Sequence, residues 1–109
     1  MKEITVQELK EKIENGDGVF IVDVREVFEK YQSDIEYERK TLIPMGELQQ
    51  RVDELEEHKD EEVVCMCRSG SRSARACNFL ENRGFSDVKN LKGGINQWAR
   101  DIDPSLPVY

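Results

Sequence analysis

At 109 residues the chain has room for one domain with a modest core and not for two. Hydrophobic residues make up 38% and charged residues 36%, the balance of a globular chain with a highly charged surface. Sixteen Lys and Arg against 23 Asp and Glu leave a net charge of −7, which argues against nucleic acid and against anionic membrane surfaces as partners, because both call for a basic face.

No run approaches the ~18 apolar residues of a membrane span, and Met1-Lys2-Glu3 begins no apolar signal core. A cytoplasmic location is therefore expected. Three cysteines are an odd number, and reduced thiols are the default in that compartment, so no disulfide framework is expected.

Ile4 to Leu9 opens the domain. Thr5 and Glu8 have capping-box spacing, with Leu9 and Ile13 an i, i+4 apolar pair behind them, which predicts a helix over Val6 to Glu14. Asn15-Gly16-Asp17-Gly18 is a turn that stops it. Val19 to Val24 is a near-continuous apolar run, the pattern of a strand covered on both faces. Asp23 interrupts that run near its end, either capping the next helix or holding Arg25, and from there it can brace a neighbouring loop.

Arg25 to Tyr31 reads as a short helix with Val27, Phe28 and Tyr31 inward. Ser33 to Thr41 is dense in charge and reads as an exposed loop. Leu42-Ile43-Pro44 is a short extended piece ended by its proline. Gly46 to Glu57 has helical spacing at Leu48, Val52 and Leu55, and His58-Lys59-Asp60 leads out as a surface turn. Glu62 to Cys67 is the next strand, and Ser71 to Arg83 the next helix, with Gly84 as its stop. Asp87 to Leu91 is a last strand, Gly93-Gly94 a turn, and Ile95 to Ile102 a final helix carrying Trp98 in the core. An extended tail, 103–109, follows. Strands alternating with helices predict an α/β fold: a small central, mostly parallel sheet with helices on both faces.

The chemistry concentrates at Cys67-Arg68-Ser69-Gly70-Ser71-Arg72-Ser73. A thiol ends an apolar strand, a loop of small and basic residues follows, and a helix starts immediately after. From Val63 to Leu80 there is no Asp or Glu, yet there are three arginines. Only a thiolate is nucleophilic, and a helix N-terminus, inward N–H groups and nearby arginines all favour it. Arg68 and Arg72 either add donors to this anion cradle or face water, and Arg75 reads as a surface residue. His58 is the only histidine and lies among charges, so no histidine base is expected. Cys65-x-Cys67 lacks the ligand spacing of a zinc site, and no metal is expected. Cys77 reads as core. A disulfide between Cys65 and Cys67 would be strained.

At this point the residues resemble a family, the single-domain rhodanese-like sulfurtransferases. Asp23-Val24-Arg25-Glu26 is similar to the family's Asp-x-Arg-Glu strand end. Ile43 to Leu48 resembles the lead into its middle helix, and Cys67 to Ala76 its active-site loop. Gly84-Phe85, Val88, Asn90 to Ile95 and Trp98 resemble its C-terminal signature. The Gly-His-Ile-x-Gly-Ala segment of many members is absent: Ser33 to Thr41 stands in its place. Tyrosine-class phosphatases place an arginine six positions after their cysteine, and that position here is Ser73; Arg72 is one residue early.

The resemblance covers nearly the whole chain and implies one rhodanese-like domain over 1–109. It implies that Cys67 takes the sulfane sulfur of a small donor such as thiosulfate as a persulfide and passes it to cyanide or a thiol. The N–H groups from Arg68 to Ser73 would stabilise the anionic sulfur, with Asp23 and Arg25 supporting and with no metal or organic cofactor. The tail from Ile102 to Tyr109 resembles the ends of rhodanese modules on activating enzymes. That resemblance implies, as the alternative, a persulfide carrier serving a protein partner in cofactor or tRNA sulfuration.

Overall fold

A computed structural model describes all of residues 1–109. Five strands form one parallel sheet: β1 (Lys2–Ile4), β2 (Phe20–Asp23), β3 (Lys40–Leu42), β4 (Glu62–Met66) and β5 (Asp87–Leu91), in the order β1-β5-β4-β2-β3. Five helices accompany them: α1 (Val6–Asn15), α2 (Val27–Lys30), α3 (Leu48–Arg51), α4 (Ser71–Asn82) and α5 (Gly94–Asp101).

The apolar runs are continuous because both faces of the sheet are buried. Phe20, Val22, Val63 and Cys65 point into one core with Ala76, Cys77 and Leu80 of α4 and with Leu48, Val52 and Leu55. Their neighbours Ile21, Val64 and Met66 point into the other core, with Leu9 of α1 and with Ile95 and Trp98 of α5. The α1 cap forms as its spacing predicts: the Glu8 N–H donates to Thr5 Oγ1 at 3.1 Å and the Thr5 N–H to Glu8 Oε1 at 3.0 Å.

Four expectations are corrected. Val27, Phe28 and Tyr31 face outward, at 53%, 67% and 83% exposure, and the buried residue of α2 is Glu29. A four-residue helix has no full apolar stripe, and its orientation is set by Glu29's ion pair, described below. Ser33 to Thr41 is not an exposed loop. Ile35 is buried in the second core, the Tyr37 hydroxyl donates to the Val19 carbonyl at 2.5 Å, and residues 40–42 form edge strand β3.

Gly46 to Glu57 is not one α-helix. The α3 turn is flanked by 3₁₀ segments, Met45–Glu47 and Val52–His58, which still bury Leu48, Val52 and Leu55. The acids Asp53, Glu54, Glu56 and Glu57 at its C-terminal end oppose an α-helix dipole. His58, finally, is half-buried: its ring stacks on Phe20, centroids 3.6 Å apart and planes 10° from parallel, with Glu61 against Nδ1. The strand β1 had no strong signal, since Lys2–Ile4 contributes one buried residue and gains its pairing from β5.

Candidate functional site

Cys67 lies one residue past the carboxyl end of β4, the central strand. Open parallel sheets place their sites at this edge. The chain reverses through Arg68-Ser69-Gly70, and α4 starts at Ser71. Gly70 supplies the reversal at φ +113°, a conformation other residues rarely adopt. The result is that the first turn of α4 points at the sulfur. The Gly70 N–H donates to Cys67 Sγ at 3.1 Å and the Ser73 N–H at 3.4 Å, while Ser73 Oγ lies 3.2 Å away.

Cys67 is only 1% exposed. Burial pushes its thiol up. The thiolate form gains hydrogen bonds with the Ser73 hydroxyl and with the Ser73, Gly70 and Ser69 N–H groups; together they outweigh burial, and the net direction is below the ordinary thiol value. Cys65 moves the other way: interaction with Cys77, then burial, holds it well above the usual range, as a neutral thiol in the core between β4 and α4.

The cradle is clamped from behind by α5. The Ile95 N–H donates to the Cys67 carbonyl at 2.9 Å and the Asn96 N–H to the Arg68 carbonyl at 3.1 Å. This approach requires glycine at 94, where a Cβ would meet the Arg68 carbonyl oxygen at 2.4 Å and the Cys67 carbonyl oxygen at 2.5 Å, and where φ is +62°. Gly94→Ala is therefore expected to force loop and helix apart. A loss of about 2 kcal/mol in denaturant unfolding is expected from strain and overpacking. Misplacement of the sulfur by about 1 Å is expected to cost about a hundredfold in any reaction at Cys67.

The arginines divide into different roles. Arg72 forms a bidentate pair with buried Glu29, Nη1 to Oε2 at 2.7 Å and Nη2 to Oε1 at 2.9 Å. That pair, with smaller help from the Glu26 N–H and the Tyr109 hydroxyl, outweighs burial and holds the Glu29 carboxyl at about 2. Arg68 is exposed and pairs with no carboxylate; its guanidinium sits over the Tyr109 ring, 5.5 Å from the centroid. Arg75 is exposed. Ser69 and Ser71 are exposed too, and of these two only Ser69 bears on the sulfur, through its N–H.

Asp23 grips Arg25, Oδ1 on Nε at 2.9 Å and Oδ2 on Nη2 at 2.8 Å. Arg25 is fully buried, and its Nη1 donates to the Glu29 and Ser33 carbonyls and to the Tyr109 hydroxyl. This cross-link joins the end of β2, α2, the Ser33 segment and the tail, one step outside the cradle.

Sequence reasoning assigned no role to Glu29, Asn90, Asn96 or Tyr109. Asn96 holds the tail, pairing with the main chain of Tyr109 at 3.2 and 3.0 Å. Tyr109 then reaches Arg25, Glu29 and Arg68 at once. The signal for these residues is tertiary. The three-residue step from Glu26 to Glu29, whose carboxylate accepts the Glu26 N–H at 2.8 Å, is a local hint for Glu29 alone.

The structure groups no three His, Cys, Asp or Glu side chains as metal ligands. The largest surface hollow, about 590 Å³, is lined by Lys30 to Tyr37 and part of the tail and lies apart from Cys67. Cys67 lines none of the surface hollows.

Fold and site together define an α/β protein built around a cysteine loop at the carboxyl edge of a parallel sheet. The model of the rhodanese-like domain family matches residues 5–101, and the chain belongs to that family. The protein YtwF of Bacillus subtilis is 38% identical over 104 residues, covering 95% of this chain and 96% of its own. A sulfurtransferase of Allochromatium vinosum is 37% identical, covering 92% and 90%. The chain also aligns with 23% of the maize adenylyltransferase and sulfurtransferase MOCS3-1, at 32% identity and over 97% of its own length. Among solved structures, a rhodanese-like domain protein from Staphylococcus aureus superposes with a TM-score of 0.80 at 36% identity, covering 90% of this chain and 91% of that one.

Proposed function

We propose that this protein is a single-domain sulfurtransferase that moves sulfane sulfur through a persulfide on Cys67. The observation that carries the reading is a buried thiol at the carboxyl edge of the sheet, with the Gly70 and Ser73 N–H groups aimed at its sulfur from 3.1 and 3.4 Å. The Cys67 thiolate attacks the outer sulfur of a donor such as thiosulfate. An S–S bond to Cys67 forms, the donor's S–S bond breaks, and sulfite leaves with the electron pair. Cyanide or a thiolate then takes the outer sulfur, and Cys67 leaves as thiolate.

The amides of Ser69, Gly70 and Ser73 are the donors for the anionic sulfur. Arg68, free of any carboxylate, is the cation for the donor's anionic end, while Arg72 is spent on Glu29. Asp23 and Arg25 support the cradle from outside. No step requires a metal or cofactor, and the expected location is the cytoplasm. No helix of the chain is long and apolar enough to cross a membrane.

A protein acceptor is the second reading. It is favoured by Phe28 and Tyr31, exposed apolar side chains on and just after the short helix whose Glu29 holds Arg72. Thiocyanate formation from thiosulfate and cyanide tests the first reading. Arg68→Ala is expected to raise the KM for thiosulfate about three- to tenfold with kcat little changed, since one exposed charge contact is lost. Slow turnover together with an acceptor protein trapped as a mixed disulfide with Cys67 would favour the second. An Arg68→Ala enzyme with unchanged KM would remove Arg68 from the donor site.

A further inference from the structure

Behind the cradle, Asn90 of β5 pairs in register with Cys65 and lies beside Ser73. Both Asn90 and Ser73 are buried, at 4% and 0% exposure. Ser73 Oγ stands 2.5 Å from Asn90 Oδ1 and 3.2 Å from Cys67 Sγ. Asn90 cannot turn its amide around, because Nδ2 donates to the Gly70 carbonyl at 3.0 Å and an oxygen there would face another oxygen. A serine hydroxyl carries one proton. It can be given to Asn90 or to a thiolate, not to both.

Resting on Cys67 as the reacting sulfur, we infer that Asn90 is a positioning residue that competes with Cys67 for the Ser73 proton and so restrains ionisation of the thiol. In the arrangement seen, the shorter bond belongs to Asn90, and Ser73 donates to Oδ1; with its one proton so placed, Ser73 Oγ is left to accept from the Cys67 S–H across 3.2 Å. When the thiol ionises, the hydroxyl must leave Asn90 and turn to the sulfur. When a persulfide forms, the negative charge moves to the outer sulfur, the inner one no longer needs the proton, and the hydroxyl returns to Asn90. The hydroxyl thus has two resting positions and follows the charge through the cycle.

Of the charged groups around the thiol, two are paired with carboxylates and one is not. Arg72 of α4 is paired with Glu29 of α2, Arg25 with Asp23 at the end of β2, and Arg68 lies over the Tyr109 ring of the tail. Cys65 of β4 and Cys77 of α4 are the neighbouring thiols, both fully buried, and Cys65 is held neutral. None of these lies between Asn90 and the sulfur; Ser73 does.

The sign of the effect separates this role from a scaffolding one. If Asn90 merely holds Gly70 in place, removing it loosens the amides and the Cys67 pKa rises. If it competes for the proton, removing it frees the hydroxyl for the thiolate and the pKa falls. The test is the pH dependence of Cys67 alkylation by iodoacetamide, followed by mass spectrometry of the Cys67 peptide on the full chain.

Asn90→Ala and the closer-sized Asn90→Leu are expected to lower the Cys67 pKa by about half a unit to one unit. Ser73→Ala is expected to raise it by a similar amount, and Ser73→Ala/Asn90→Ala to match Ser73→Ala alone. A rise in both Asn90 variants, or no change, overturns the inference. So does a double variant that lies as far below Ser73→Ala as Asn90→Ala lies below the parent, since Asn90 would then act without Ser73. Alkylation reads the thiol without any sulfur donor, so a protein that shows these shifts but forms no persulfide refutes sulfur transfer and leaves the proton competition standing.

Discussion

Cys67→Ser is expected to reduce sulfur transfer by at least about a thousandfold, because it removes the atom that forms the covalent intermediate. The cradle would survive: a serine oxygen in place of Sγ still accepts from the Gly70 and Ser73 N–H groups. It would not be a nucleophile, since a hydroxyl is far harder to ionise than a thiol and no base is at hand. The only histidine, His58, is stacked on Phe20 at the start of β2, near the opposite edge of the sheet. Cys65→Ser and Cys77→Ser are expected to retain transfer, with some loss of stability from placing hydroxyls in the core between β4 and α4. Steady-state thiocyanate formation, with far-ultraviolet circular dichroism to confirm folding, checks all three. Transfer that survives in Cys67→Ser would place the chemistry elsewhere.

The second large effect is on stability. Arg25→Met is expected to cost about 3–5 kcal/mol in denaturant unfolding, because it strands the Asp23 carboxylate at 3% exposure without its partner. The Glu29 and Ser33 carbonyls and the Tyr109 hydroxyl lose a donor at the same moment. In the double variant Asp23→Asn/Arg25→Met no buried charge is stranded, so it is expected to be less destabilised than Arg25→Met alone. A single variant that loses less than about 1 kcal/mol would mean that water reaches and satisfies Asp23, against its burial at 3% exposure.

Much of this was legible from residues close in sequence. The runs at Val19–Val24 and Glu62–Cys67 announce doubly covered strands because both faces of each strand lie against helices or turns. Thr5 and Glu8 announce a helix start because the cap is closed by residues three apart. The cysteine loop is legible for the same reason. Strand, small residues and helix start are consecutive, so the amides that meet Sγ belong to Gly70 and Ser73, three and six residues on.

The misses share a cause: distant partners. Charge density made Ser33 to Thr41 look solvated, but Ile35 and Tyr37 alternate within it, and β2 gives the segment a strand to pair with. In α2 the apolar residues looked inward, whereas Arg72, 43 positions away, draws Glu29 in and turns Phe28 and Tyr31 out. The role of Tyr109 needs Arg25, Glu29, Arg68 and Asn96 together, and no local pattern brings those four to one place.

The central claim is that Cys67 carries sulfur. Intact-protein mass spectrometry after brief thiosulfate treatment and desalting tests it most directly. One added sulfur, ~32 Da, is expected on the intact protein, removed by cyanide and absent in Cys67→Ser. No added mass with any sulfane donor, or an added sulfur that persists without Cys67, would contradict it.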